Sequence, residues 1–402
     1  MASVDIAAEA PMPARAYRCV CGQPIYFPNS QCLNCGRALG VEPCSGHVHP
    51  LEPMDDTGWR LADEPDTARS YRRCANLNTP AGCNWLVEPE FADTGGTSDG
   101  LCLACRLNRV IPDLSHGDNG LLWGKLEQAK RRLVSQLIAL RLPIASKVEQ
   151  DPERGLCFDF LRSPEGGPAV MTGHADGVIT INVHEADDVE RERLRTVLHE
   201  PYRTLLGHLR HEVGHYYWDR LIAASPWLDE FRALFGDERR DYAEALKTNY
   251  EVGPPPDWAL NYVSAYASTH PWEDWAETWA HYLHMLDSSA TAASFGLDAR
   301  YLDLQLAEFT AADIGEPDTK AAEPFLRLVN RWLRLTGVLN EMSRSMGQPD
   351  FYPFALPAAA TRKLYFIHRV VLRAPQESTP CPPAAQQDGD AVADIAVTIE
   401  AA

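Results

Sequence analysis

The sequence predicts an α+β fold: a mostly helical domain with a small β-sheet, preceded by a cysteine-rich N-terminal region. Three observations carry that prediction. Eight cysteines fall in pairs between residues 19 and 105. Alternating apolar patterns, the signature of half-buried strands, are confined to about 156–183. Beyond residue 188 the apolar residues recur almost throughout at helical spacing. With 402 residues and 45% apolar side chains, the chain is long enough for two or three regions around a sizeable core.

Residues 1–16 carry Asp5 and Glu9 and lack the apolar stretch of a signal peptide, so they are expected to be disordered and the chain cytoplasmic. Residues 17–115 are rich in Pro, Gly, Asn and Asp, and their cysteines supply what a small apolar content does not. Cys19 and Cys21 precede Cys32 and Cys35, and Gly22 and Gly36 follow each pair, which is the pattern of a zinc ribbon over residues 17–40. Cys74, Cys83, Cys102 and Cys105 make a less regular set, expected to be a second tetrahedral site over 74–105. Both sites are read as structural, since a reducing cytosol disfavours disulfides. Cys44, Cys157 and Cys381 are spare in this reading.

Residues 116–375 form the main domain. A helix is expected over about 120–140, with Leu121, Leu122, Leu126, Leu133 and Leu137 as its apolar stripe and Lys125, Lys130, Arg131 and Arg132 on a solvated face. Strands follow at 156–161, 169–172 and 178–183, separated by turns at 164–168 and 175–177. Ile179, Ile181 and Val183 share one face of the last strand. Helices are expected at about 188–197, 201–222, 226–235, 238–249, 257–268, 271–287, 298–312, 321–345 and 355–373. Residues 376–402 read as a flexible tail.

The chemistry is concentrated in His211-Glu212-Val213-Gly214-His215, an H-E-x-x-H pattern in a helical frame from Leu205 to Leu221. Residues four apart share a helix face, so His211 and His215 can direct two imidazoles at one metal ion, with Glu212 beside them as a general base. Leu205, Leu206, Leu209, Tyr216, Tyr217, Trp218 and Leu221 make this a largely buried helix, where an unpaired imidazole is costly. A third ligand is expected from the helix that begins at Pro271. There Glu273 and Glu277 share a face, and one acid can bind the metal while the other orients a ligand histidine. Asp274, His270, His281 and His284 remain alternatives as ligands, and Tyr266 is equally readable as a core aromatic.

An H-E-x-x-H helix followed by E-x-x-x-E resembles the gluzincin metallopeptidases. The spacing of Tyr266, Glu273 and Glu277 is similar to the active-site helix of lethal-factor-like peptidases. The ribbon, together with 105–114, 201–208, His211 to Trp218 and His270 to Tyr282, resembles a bacterial family of zinc-binding metallopeptidases with an N-terminal zinc ribbon, over most of residues 17–375. The resemblance implies a zincin-like metallopeptidase domain. In it Glu273 is the third zinc ligand, Glu277 orients a ligand histidine, and Tyr266 is a phenol that stabilises the oxyanion. It carries no substrate.

The expected cofactor is therefore Zn2+, one catalytic ion and two structural ones. The expected activity is hydrolysis of a peptide bond by water, with Glu212 taking the proton. Amide hydrolysis of a modified small peptide, or a non-catalytic zinc-ribbon adaptor, are the alternatives. A formal charge of −19, from 37 basic and 56 acidic residues, argues against nucleic acid as a partner. No apolar run reaches membrane-spanning length. The expected partners are a peptide or protein substrate and, through the N-terminal zinc region, a protein.

Overall fold

The computed structural model describes residues 15–54, 58–64, 69–88, 100–164, 166–197, 202–297, 299, 302 and 304–375. The segment expected to be disordered lies outside these up to residue 14, and the expected tail lies outside them entirely. Arg15 overturns the first expectation at its end. It is buried, and its guanidinium bonds to Asp287 Oδ1 (3.1 Å) and Ser135 Oγ (3.1 Å) of the main domain.

The N-terminal region consists of short antiparallel pieces. β1 (Tyr17–Arg18) pairs with β2 (Pro24–Ile25). β3 (Leu39–Val41), β4 (Val48–Pro53) and β5 (Trp59–Leu61) form a three-stranded sheet, and β6 (Arg72–Arg73) pairs with β7 (Leu86–Val87). Gly22 and Gly36 have φ of +85° and +71°, and their amides donate to the carbonyls of Cys19 and Cys32. A side chain would strain that left-handed turn, which explains a glycine after each cysteine pair.

α1 (Leu103–Arg106) leads into β8 (Asn108–Val110), a strand the sequence did not announce. α2 (Asn119–Ala139) follows. β8, β9 (Cys157–Leu161), β10 (Gly173–Ala175) and β11 (Val178–Asn182) form one sheet in the order β10-β11-β9-β8. β10 pairs with β11 antiparallel, and the other pairings are parallel. The strand expected at 169–172 lies instead at 173–175. Asp176 and Gly177 both have positive φ (+49° and +73°), a two-residue turn whose twist fixes the register of Ala175 opposite Val178. Ile179 and Ile181 of β11 face the core, as the alternation predicts.

The remaining helices are α3 (Asp188–Val197), α4 (Leu205–Leu221), α5 (Leu228–Phe235), α6 (Tyr242–Val252), α7 (Trp258–Asn261), α8 (Pro271–Ser294), α9 (Ala311–Ile314), α10 (Thr319–Ser345) and α11 (Ala358–Leu372). Two expectations fail here. The helix expected over 257–268 breaks after Asn261, where Tyr262 is extended, and resumes only as a 3-10 turn at Tyr266–Ser268. The described residues of 298–310 contain no α-helix. The capping box of Thr310 and Asp313 starts α9 late.

The basic residues of α2 are also not a solvated face. Lys130 and Arg131 are buried, Lys130 pairs with Glu127 (2.8 Å), and Arg132 pairs with Asp287 (2.7 Å).

α4 and α8 are the central pair and run antiparallel. Thr204 caps α4 by accepting from the Gly207 amide (3.0 Å). His270 caps α8 by accepting from the Trp272 amide (3.1 Å), with Pro271 in the first turn. The helices meet at Gly214. A Cβ there would lie 3.0 Å from Ala276 Cα, and Trp275 Nε1 donates to the Gly214 carbonyl (2.8 Å). Trp275 and Trp279 are completely buried beside this crossing. Each removes enough apolar area to contribute roughly 4–6 kcal/mol before entropy is counted.

Candidate metal centre

The close crossing brings the polar faces of α4 and α8 together at one point. The ligand atoms of His211, His215 and Glu273 lie within 4.8 Å of one another, and all three residues are buried. His211 Nε2 is 3.0 Å from Glu273 Oε2, and His215 Nε2 is 3.7 Å from Glu273 Oε1. Metal–ligand bonds of about 2.0–2.1 Å at tetrahedral angles separate neighbouring donor atoms by about 3.3 Å, so these spacings suit a zinc ion. Glu273 Oε2 is buried and makes no hydrogen bond, despite its closeness to His211. Buried donor atoms of this kind, converging on one point, can hold a cation.

The surroundings assign the nitrogen that faces this point. His211 Nδ1 lies 2.7 Å from Glu277 Oε1, and Glu277 Oε2 accepts from Ser264 Oγ (2.6 Å). That leaves Nε2 of His211 for the metal. Burial opposes ionisation of Glu277, but the hydrogen bond and charge of His211 outweigh it and hold its carboxyl at about 2. Glu273 is likewise held well below the usual range, burial being overcome by His215 and His211.

Glu212 borders the same cleft and is itself buried. Its Oε1 is 3.4 Å from His208 Nε2, while His208 Nδ1 bonds to Glu185. The carboxyl of Glu212 is depressed, with burial again overcome by His208 and His211. His208 is raised to about 10, because Glu185 and then Glu212 outweigh its burial. Glu212 is therefore poised as a carboxylate.

Two phenols approach. The Tyr266 ring is 6.0 Å from that of His211 and its hydroxyl has no hydrogen bond among the described residues. Tyr242, on α6, donates to Glu273 Oε1 (2.6 Å). Trp272 packs its ring 4.0 Å from His215. The other readings of α8 fall away. Asp274 pairs with Lys363 (2.6 Å), and His281 bonds to the Tyr352 hydroxyl. His284 bonds to Arg210 and His270 caps the helix.

Ser264, Tyr242 and the His208–Glu185 pair escaped the sequence reading. Only His208, one turn before Glu212, left a signal there. The centre opens into a cleft of about 1530 Å³, bordered on one side by Thr172, Gly173 and His174 at the edge strand β10.

The cysteines form two further clusters. Sulfur–sulfur distances are 3.6 Å (Cys19–Cys35), 3.7 Å (Cys21–Cys32), 3.7 Å (Cys74–Cys105) and 3.6 Å (Cys83–Cys102). Tetrahedral zinc with bonds of about 2.3 Å separates its sulfurs by about 3.8 Å. All eight are free thiols. The first cluster has two exposed members and the second is wholly buried. Cys44, spare in the sequence reading, lies with its Sγ 3.2 Å from Glu88 Oε1.

Two imidazoles and a carboxylate thus converge on crossed helices, with a second carboxylate alongside and the first cysteine cluster upstream. The chain belongs to the family described as "Putative zinc-binding metallo-peptidase", whose model matches residues 119–370, and a zinc-ribbon domain model matches residues 16–116. Among its relatives are an uncharacterized protein of Mycobacterium bovis and uncharacterized proteins of two Mycobacterium tuberculosis strains. Each is 44% identical over 352 residues, which span 87% of this chain and 93% of the relative. No solved structure matches. No helix among the described residues is long and apolar enough to cross a membrane.

Proposed function

We propose that the chain is a zinc-dependent peptidase that cleaves peptide bonds with His211, His215 and Glu273 as ligands and Glu212 as general base. The observation that carries this reading is the convergence of three ligand atoms in an open cleft beside an ionised Glu212. A zinc ion bound there supplies the Lewis acidity that activates a water and polarises the scissile carbonyl.

The side chains do the rest. The Glu212 carboxylate takes a proton from the attacking water and returns it to the nitrogen of the leaving amine. Glu277 holds the His211 ring by its Nδ1–H, and Ser264 holds Glu277. Tyr266 offers a free hydroxyl to the oxyanion. The edge strand β10 offers backbone groups unpaired among the described residues to an extended peptide. The two cysteine clusters are structural zinc sites, three ions per chain in all.

Glu212→Gln tests the mechanism. It keeps the metal content of the purified protein and loses about 10²–10⁴-fold in the rate of peptide-library cleavage. Undiminished cleavage by the variant would end this assignment.

A further inference from the structure

The cleft continues past the metal ligands. Because α4 and α8 are antiparallel, the path from His211 towards the start of α4 is also the path from Glu277 towards the end of α8. One turn beyond His211, about 6 Å along the axis, the cleft is lined by Tyr202, Gly207, Ala280, His281, His284 and Phe354. Four of these are rings in continuous contact. Centroids are 5.4 Å apart for Tyr202–His284, 6.2 Å for His281–His284, 4.5 Å for His281–Phe354 and 6.1 Å for Tyr202–Phe354. They make an aromatic floor.

That floor carries one oriented polar atom. His284 is 9% exposed, and its Nδ1 lies 2.6 Å from Arg210 Nη1. A guanidinium only donates, so Nδ1 accepts and the neutral ring carries its proton on Nε2. Arg210 cannot turn away, since Gln136 Oε1 (3.1 and 2.8 Å) and Asp287 Oδ2 (2.8 Å) hold it. The Nε2–H has no acceptor among the described residues.

Gly207 leaves it uncovered. A Cβ at that position would stand 3.5 Å from His284 Nε2 and 3.3 Å from Tyr202 Cε1. A glycine inside a helix costs about 1 kcal/mol relative to alanine, and here the missing methyl keeps the donor open to the cleft.

We infer that this end of the cleft receives a substrate side chain next to the scissile bond, that it selects uncharged aromatic side chains, and that His284 Nε2–H donates to an acceptor at the tip, as the phenol oxygen of tyrosine provides. Among the described residues, no unneutralised charge faces the floor to hold a charged side chain. Arg210 is paired with Asp287, and both oxygens of Glu277 are used by His211 and Ser264. The inference rests on the peptidase reading for its substrate, and the test separates the two.

Binding of N-acetyl-tyrosinamide, N-acetyl-phenylalaninamide and N-acetyl-lysinamide to the full chain is measured by ligand-observed NMR, with and without zinc. The expected order is tyrosine, then phenylalanine, then lysine. Gly207→Ala lowers the tyrosine amide's affinity about fivefold, the worth of one neutral hydrogen bond. Ala280→Leu, a second variant that fills the space, weakens both aromatic amides. Equal binding of the tyrosine and lysine amides overturns the pocket. Preferred binding of the tyrosine amide by a chain that cuts no peptide upholds the pocket and removes the peptidase reading. Peptide cleavage without preference for an aromatic residue beside the cut does the reverse.

Discussion

Glu277 touches no reacting atom in the proposed mechanism, yet it determines which nitrogen of His211 faces the metal. Glu277→Gln keeps the shape of the side chain and loses its charge. The expected outcome is a 10–100-fold weaker hold on the metal of this centre, read by competition with a graded chelator, while the cysteine-bound metal is retained. An unchanged affinity would mean that His211 is oriented by packing alone. At this scale the sequence was readable wherever partners sit on one helix. His211, Glu212 and His215 share a turn of α4, and Glu273 and Glu277 share a face of α8, so local periodicity suffices. Ser264 and Tyr242 reach Glu277 and Glu273 from other segments, 13 and 31 positions away. No periodic pattern links those positions. Asp274 shows the converse: its pattern permitted a ligand, and only the arrival of Lys363 from α11 gave it another partner.

Elements obey packing before propensity. α8 runs to Ser294, well past the expected end at 287, because Asp287 is a buried junction and not a terminus. Its carboxylate binds Arg210 of α4, Arg132 of α2 and Arg15 of the N-terminal segment. Burial opposes its ionisation, and the three guanidiniums outweigh burial and hold its carboxyl far below the usual range. Removing one partner from such a buried cluster leaves charges uncompensated. Asp287→Ala should therefore cost about 3–5 kcal/mol in urea unfolding. The sign with pH follows from the depressed folded value. The contribution is complete above the unfolded carboxyl range, about 3.9, and is lost as pH falls below it. The difference between the parent protein and the variant should thus shrink in acid. A difference constant from pH 7 to 3 would contradict this. The break after Asn261 has a related cause. A continued helix would not deliver Ser264 to Glu277 and Tyr266 to the cleft, and nothing local in 257–268 announces that demand.

At the scale of the whole molecule the two cysteine clusters are not equivalent. The second ends in α1, which passes directly into β8, and β8 pairs with β9 in the sheet beside the metal centre. Its four sulfurs are buried, whereas Cys21 and Cys35 of the first cluster are exposed. Cys83→Ser should lower the melting temperature of the entire chain by roughly 3–4 °C, equivalent to about 3 kcal/mol in a chain of this size. Cys35→Ser should unfold only the ribbon and leave the main transition in place. Equal effects, seen by calorimetry, would make the two clusters structurally interchangeable. Cysteine spacing disclosed both clusters, but their relation to the main domain was hidden. Arg15 and Asp287 are 272 positions apart, and β8 is too short and polar to announce itself as a strand.

Trp272 lies tilted against His215, its ring centroid 4.0 Å away and its indole Nε1 buried without a partner among the described residues. The centre thus contains its own optical probe. Loading a closed-shell ion should shift the emission of this indole, and loading a paramagnetic cobalt or copper ion should quench it, while the deeper Trp275 and Trp279 respond less. Trp272→Phe should abolish most of the signal. Occupancy of the metal centre could then be followed by light in the intact protein, independently of any substrate and of the silent thiolate sites at the other end of the chain.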